Sequence, residues 1–165
     1  MAKKKEEKTN VMRTLEQKKI AYTAHTYPHE DGVAVDGVTV AQMLEQNSDA
    51  VFKTLVTKGA SGGYYVFDIP VAQTLDLKKA AKAVGEKSIA MLPSKDLLPL
   101  TGYVHGGCSP VGMKKQFPTV FHASCVEYDT VMVSAGKIGY QVEVNPKDLI
   151  ALLNAKTADV VVTIL

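Results

Sequence analysis

Lys53 occupies the most demanding position in the sequence. It sits in Val51-Phe52-Lys53-Thr54-Leu55-Val56, a run with the period of a strand. That period places Lys53 on one face with Val51 and Leu55, while Phe52 and Val56 make the other face apolar too. Desolvating an ammonium is costly unless an anion or carbonyl completes its shell. The side chain therefore either snorkels to a rim or points into a polar pocket that a ligand fills. An edge lysine that blocks strand pairing is the structural alternative.

The segment Gly102-Tyr103-Val104-His105-Gly106-Gly107-Cys108-Ser109-Pro110-Val111-Gly112 has four glycines in eleven residues, which excludes regular structure. It is either a long turn or a cradle whose N–H groups crowd an anion or ester carbonyl with no Cβ in the way. Neither GxxxxGK[ST] nor a GxGxxG between strand and helix occurs, so a P-loop or Rossmann nucleotide site is not supported. No carboxylate lies between Asp96 and Glu127, a window that also holds Lys114 and Lys115. With Lys78, Lys79 and Lys82 this makes two lysine clusters: one polyanion footprint if the fold joins them, solvated surface if not. Arg13 is the single arginine, which argues against bidentate reading of duplex sequence.

Cys108 with His105, and His122 further on, has the composition of a thiol nucleophile and base. The competing reading is a buried cysteine that packs as a small hydrophobe, and the spacing matches no cysteine-hydrolase motif. His25 and His29 flank Tyr27, and HExxH is absent, so no metal and no cofactor are expected.

The elements that position these groups follow from periodicity. A helix starts at Asn10 and ends near Lys19, with Val11, Met12 and Leu15 as its apolar stripe. Ile20, Tyr22 and Ala24 then alternate as a strand, and 28–37 reads as loop. Thr39 and Gln42 form a capping-box pattern for a second helix. Val51 to Thr57 and Tyr64 to Ile69 predict a hairpin across a Gly-rich turn. Leu75 to Val84 predicts a helix closed by Gly85, with Leu77, Ala81 and Val84 inward. A short strand at Ser88 to Leu92 and a helix near Ser94 that Pro99 interrupts or ends precede the glycine segment. Thr119 to Ala123, Thr130 to Ser134 and Tyr140 to Val144 are strands, the last two a second hairpin. Asn145-Pro146 opens a final helix.

A chain of 165 residues, 46% hydrophobic and 22% charged, suits one globular domain. Residues 1–9 read as a disordered tail and residues 10–165 as a single domain. Nineteen Lys plus Arg against seventeen Asp plus Glu leave a net charge of +2, so any polyanion site must be local. No apolar run approaches the roughly 18 residues of a membrane span, and the start lacks a signal-peptide core, so the expected location is cytoplasmic with no membrane partner. Two cysteines outside any CxxC pair fit a reducing compartment.

Four stretches together resemble the YbaK/ProX/EbsC aminoacyl-tRNA deacylases, a family similar to the editing domain inserted in many bacterial prolyl-tRNA synthetases. They are His25-Thr26-Tyr27; Phe52-Lys53-Thr54-Leu55; Thr101-Gly102-Tyr103 through Gly106-Gly107 to Ser109-Pro110 and Gly112 with Lys114-Lys115; and Ser134-Ala135-Gly136-Lys137 ahead of Glu143. The resemblance runs from about Leu15 to the C-terminus and is closest to the YbaK branch. It implies an α/β (α+β) fold with a mixed, barrel-like β-sheet surrounded by helices. The implied function is a trans-editing hydrolase that removes cysteine from Cys-tRNA(Pro), with Cys-tRNA(Cys) as a further substrate, the substrate thiol assisting. It implies Lys53 and Gly106 as catalytic residues and Tyr27, Gly107, Ser109, Pro110, Ser134 and Gly136 as substrate-binding ones. The implied partners are the 3′ acceptor end of aminoacyl-tRNA and prolyl-tRNA synthetase. A deacylase for Ala-tRNA(Pro) or another small aminoacyl-tRNA, and a noncatalytic tRNA- or synthetase-binding module, are the alternatives. Two positions depart from the family pattern: His105 stands where a small apolar residue is expected, and Ala135 where a second glycine is.

Overall fold

The computed structural model describes residues 8–163. The chain runs α1 (Asn10–Gln17), β1 (Tyr22–Thr26), α2 (Gly37–Met43), β2 (Phe52–Gly59), β3 (Tyr64–Pro70), α3 (Leu77–Val84), β4 (Ile89–Met91), α4 (Ser94–Thr101), β5 (Thr119–His122), β6 (Val131–Ser134), β7 (Tyr140–Val144), α5 (Pro146–Leu153) and β8 (Lys156–Ala158), with 3-10 turns at Ser48–Ala50 and Ala123–Glu127. Most of the tail expectation falls outside the described residues. Of its last two residues, Thr9 caps α1 by accepting from the Met12 N–H, and Lys8 pairs with Glu16 at 2.8 Å.

The strands form two sheets. One is antiparallel, in the order β1-β7-β6; the other is mixed, in the order β4-β2-β3-β5-β8, with β5 parallel to both β3 and β8. The sheets meet at a parallel bridge between Val51 and Met132. The α+β class and the mixed sheet are as expected, but the strands do not close into a barrel. The reason is local: β4 pairs with β2 only at Thr57–Gly59, so Phe52–Leu55 keeps β3 on one side and has no long strand partner on the other.

The main core lies where α1 and α5 cover the three-stranded sheet. Val11, Met12 and Leu15 of α1 meet Val131, Val133, Val142 and Val144, and Leu149 and Leu153 of α5 join them. Each such side chain contributes about 1.5–3 kcal/mol by leaving water, and Leu15→Ala would cost about 2–5 kcal/mol. Side-chain alternation in β3 splits the second sheet's environment. Phe67 and Ile69 pack with Ala80 and Ala81 of α3, whereas Val66 packs on the other face with Val56 of β2, Cys108 of the glycine segment and Phe117 beyond it.

Two local expectations are corrected, and one strand is added. The cap of α2 is Asp36, not the Thr39–Gln42 box: its carboxylate accepts from the Thr39 N–H at 3.1 Å and the Thr39 hydroxyl at 2.5 Å. In α3 the inward residue at the start is Ala80 rather than Leu77, which is 40% exposed, because the stripe that meets Phe67 needs small residues. Strand β8 carries no periodic signal in Lys-Thr-Ala; backbone pairing to Val120–His122 creates it.

Candidate active site

The free edge of β2 forms one wall of a cavity of about 310 Å³. Phe52 through Leu55 contribute consecutive residues from the edge that no long strand covers, and Val51, bridged to Met132, adjoins them. Tyr27 at the exit of β1, Gly37 and Val40 of α2, Ser134 at the end of β6 and Gln141 of β7 line it from the other sheet's side. His105, Gly106 and Cys108 of the glycine segment close it. The lining is mostly apolar, with a few polar groups that converge, which is how small-ligand sites are built.

Lys53 is half-buried here, and among the described residues it has neither a hydrogen bond nor an ion pair. Burial alone lowers its pKa. An ammonium held without an acceptor in a largely apolar pocket is incompletely solvated, so an anionic or carbonyl-bearing ligand is what it lacks. The buried Gln141 adds a second open valence, because its Oε1 is shielded from solvent and unpartnered among the described residues. Sequence alternation hides this residue: between Tyr140 and Val142 it reads as a solvent-facing position.

Of the eight site residues expected from the sequence, the cavity gathers Lys53, Gly106, Tyr27 and Ser134. Gly107, Ser109, Pro110 and Gly136 are not in its lining and serve the loop that frames it. A Cβ on Gly107 would lie 3.0 Å from the Ile138 backbone nitrogen, so a side chain there would press this loop away from the β6–β7 turn on which it rests. Its N–H is already given to Val104 O. Ser109, fully buried, accepts from the Val111 N–H, and Ser134 Oγ accepts from the Gly136 N–H. Pro110 is buried beside them. Gly106 is different: it has φ +87°, and a Cβ there would come within 2.6 Å of Ala34 Cβ. No acceptor occupies its N–H among the described residues, which leaves a backbone donor at the cavity wall.

Burial weighs against the thiol alternative. Burial pushes Cys108 up to about 12, with the Asp68 carboxyl adding to it, so the thiolate fraction at neutral pH is on the order of one in 10⁵. His105 is exposed at the mouth and makes no bond to the thiol. His25 is engaged elsewhere, 2.9 Å from Glu143 across β1 and β7, and Glu143 also accepts from Thr130. Among the described residues, no group of three or more His, Cys, Asp or Glu is placed to hold a metal ion.

The two lysine clusters do not combine. α3 covers one face of the five-stranded sheet and the glycine segment covers the other, so Lys78 and Lys82 face away from Lys114 and Lys115. Lys79 is bound to Asp159 at 3.0 Å.

Comparison with known proteins bears on the fold and the family. Residues 33–152 match the model of the aminoacyl-tRNA editing domain. A protein of Enterococcus faecalis (strain ATCC 700802 / V583) that carries the designation Cys-tRNA(Pro)/Cys-tRNA(Cys) deacylase EbsC is 46% identical over 162 residues, 97% of this chain and 98% of that protein. A crystal structure described as a trans-editing enzyme for prolyl tRNA synthetase superimposes with a TM-score of 0.79 at 26% identity, covering 93% of this chain and 95% of that one. A scaffold used for grafting linear epitopes matches with a TM-score of 0.82, also at 26% identity, over 93% of this chain and 96% of its own. With more than half its length matched by the family model, the chain belongs to the aminoacyl-tRNA editing domain family.

Proposed function

We propose that this chain is a trans-editing deacylase that hydrolyses the ester of cysteinyl-tRNA(Pro), with cysteinyl-tRNA(Cys) as a second substrate. The observation that carries the reading is the unpaired, half-buried Lys53 ammonium in a cavity closed by Gly106. The designation of the Enterococcus relative supports the choice of amino acid. In this reading the 3′-terminal adenosine enters the cavity, Lys53 meets its phosphate or ribose oxygens, and the Gly106 N–H faces the ester carbonyl. Tyr27 and Ser134 fix the nucleotide.

An aminoacyl ester is already activated, so the enzyme has to orient it and polarise the carbonyl. No side chain in the lining acts as a protein nucleophile, and the substrate supplies its own. A thiol ionises near pH 8.5 and lower beside an α-ammonium. Its sulfur attacks the carbonyl carbon, the ester C–O bond breaks, and the tRNA 3′ oxygen leaves with the thiol's proton. Water then opens the cyclic thioester to free cysteine.

Rates on cysteinyl-, seryl- and alanyl-tRNA(Pro) test this directly. The seryl ester should react slower by about 100-fold or more, because its hydroxyl remains protonated. Equal rates on the alanyl ester would make the enzyme a water-attack deacylase instead.

The partner reading is that the chain works beside prolyl-tRNA synthetase. A net charge of +2 and lysine clusters on opposite faces give a weak electrostatic grip on tRNA at cellular salt. Adding the synthetase should then lower KM for cysteinyl-tRNA(Pro); an unchanged KM contradicts the partnership.

A further inference from the structure

Behind the cavity wall lies a carboxyl group that this mechanism does not use. Asp68 of β3 is fully buried and stands opposite Thr54 in the β2–β3 register. Thr54 Oγ1 and Asp68 Oδ1 are 2.5 Å apart, and Thr54 lines the cavity. The other oxygen, Oδ2, is buried with no partner among the described residues. Val66 and Phe121 flank Asp68 on its own face. The titratable groups that face it are the Cys108 thiol of the glycine segment and the Cys125 thiol of the 3-10 turn, and burial keeps both neutral, up to about 12 and about 11. Lys53, its neighbour on β2, belongs to the opposite face and makes no ion pair with it.

The two charge states of this carboxyl give Thr54 opposite polarity. An ionised Asp68 can only accept, so it takes the Thr54 hydroxyl hydrogen and leaves an oxygen lone pair facing the cavity. A neutral Asp68 carries a proton that needs an acceptor, and Thr54 Oγ1 is the one within reach. The Thr54 hydrogen is then free to turn into the cavity. A dry environment with no cation favours the neutral acid, and burial pushes Asp68 up to about 8 against the opposing pull of Thr54.

We propose that Asp68 is a positioning residue: as the neutral acid it donates to Thr54 Oγ1 and so makes the Thr54 hydroxyl a donor toward the ester carbonyl bound beside Lys53. The proposal deepens the deacylase reading and rests on the cavity being the deacylation site. A donor aimed at a developing oxyanion is worth up to about 10²–10³ in rate, and a hydroxyl whose polarity is fixed by a buried neighbour needs no reorganisation to serve as one.

The test is kcat/KM for cysteinyl-tRNA(Pro) from about pH 6 to about pH 10, for the wild type and for Asp68→Asn, Thr54→Val and Lys53→Ala. Dividing each variant by the wild type at the same pH cancels the titration of the substrate thiol and leaves that of Asp68. An asparagine amide still donates to Thr54 Oγ1 but does not ionise. Asp68→Asn should therefore stay within about tenfold of the wild type near neutrality, and the ratio of variant to wild type should climb above about pH 8, by up to about tenfold per pH unit, as the wild-type carboxyl ionises. Thr54→Val reads the same device without touching Asp68: a deficit of about tenfold or more near neutrality that shrinks above about pH 8. If Lys53→Ala is inactive but both ratios are flat in pH, the cavity is the site and Asp68 has no such role. If Lys53→Ala deacylates at the wild-type rate, the site reading itself fails.

Discussion

Two half-buried lysines sit beside two concavities, and their surroundings differ in kind. Lys79 of α3 adjoins an open cleft lined by Gln73, His122, Ser124, Glu127, Asp159 and Thr163. Its ammonium is bound by Asp159 at 3.0 Å, by Val161 O at 2.8 Å and by Thr163 Oγ1 at 2.8 Å. His122 there accepts from the Val160 N–H. Lys53 faces the smaller, more apolar cavity and has none of these partners among the described residues. The difference teaches that burial of a charge marks a ligand site when the fold leaves the charge unanswered. Where three acceptors complete the shell, the same residue type ties the segment after β8 to a helix.

Breaking each region separately should separate function from stability, and the largest effect is expected at Lys53. Lys53→Ala should lower deacylation by about 10²-fold or more, by analogy with loss of an electrostatic clamp. Its melting temperature should hold or rise, because no internal partner is lost and a desolvated charge is removed. Gly106→Ala comes next. The positive φ and the close approach to Ala34 should cost about 1–3 kcal/mol of stability and more than tenfold in rate, measured by denaturant unfolding and by turnover.

A third prediction sharpens the contrast between answered and unanswered groups. Asp68 has a folded pKa of about 8, above its ordinary 3.8. Its contribution to stability is therefore greatest below about pH 4 and is lost as pH rises toward about 8, since unfolding releases its proton over that window. The unfolding free energy of Asp68→Asn relative to the wild type should grow across that range, reaching on the order of a few kcal/mol. A difference that does not vary with pH would mean the carboxyl titrates normally. Glu143, held by Thr130 and then His25, has the opposite sign: these bonds lower its pKa, and their contribution is lost as pH falls.

At the smaller end, Lys79→Ala should cost about 0.5–1.5 kcal/mol and leave turnover within about twofold, since the residue lies outside the cavity. A large loss of activity there would erase the distinction between the two regions. Cys108→Ser should reduce turnover by less than about tenfold, as expected of a buried thiol that stays protonated; an inactive variant would restore the cysteine nucleophile.

Much of this was legible in the sequence. Period-two alternation about Gly59–Gly63 and Gly136–Gly139 marks both hairpins, and a lysine amid Val51, Phe52 and Leu55 marks the cavity wall. Resemblance groups the whole glycine segment as one binding loop, but it cannot separate a glycine that lines the cavity, Gly106, from Gly107, which packs against backbone. That distinction is tertiary. Asp68 is visible as an acid in the apolar run Tyr64 to Ile69, yet its partner Thr54 depends on strand register. Gln141 gives no signal because a polar residue at every second position is what a half-buried strand shows.

The most direct measurement is an NMR titration of the protein with a hydrolysis-resistant analogue, cysteine joined by an amide to 3′-amino-3′-deoxyadenosine 5′-phosphate. Shift changes centred on Tyr27, Lys53, Gly106 and Ser134 are the predicted result. Changes centred instead on His122, Ser124 and Asp159 would place the substrate in the other cleft and contradict the account.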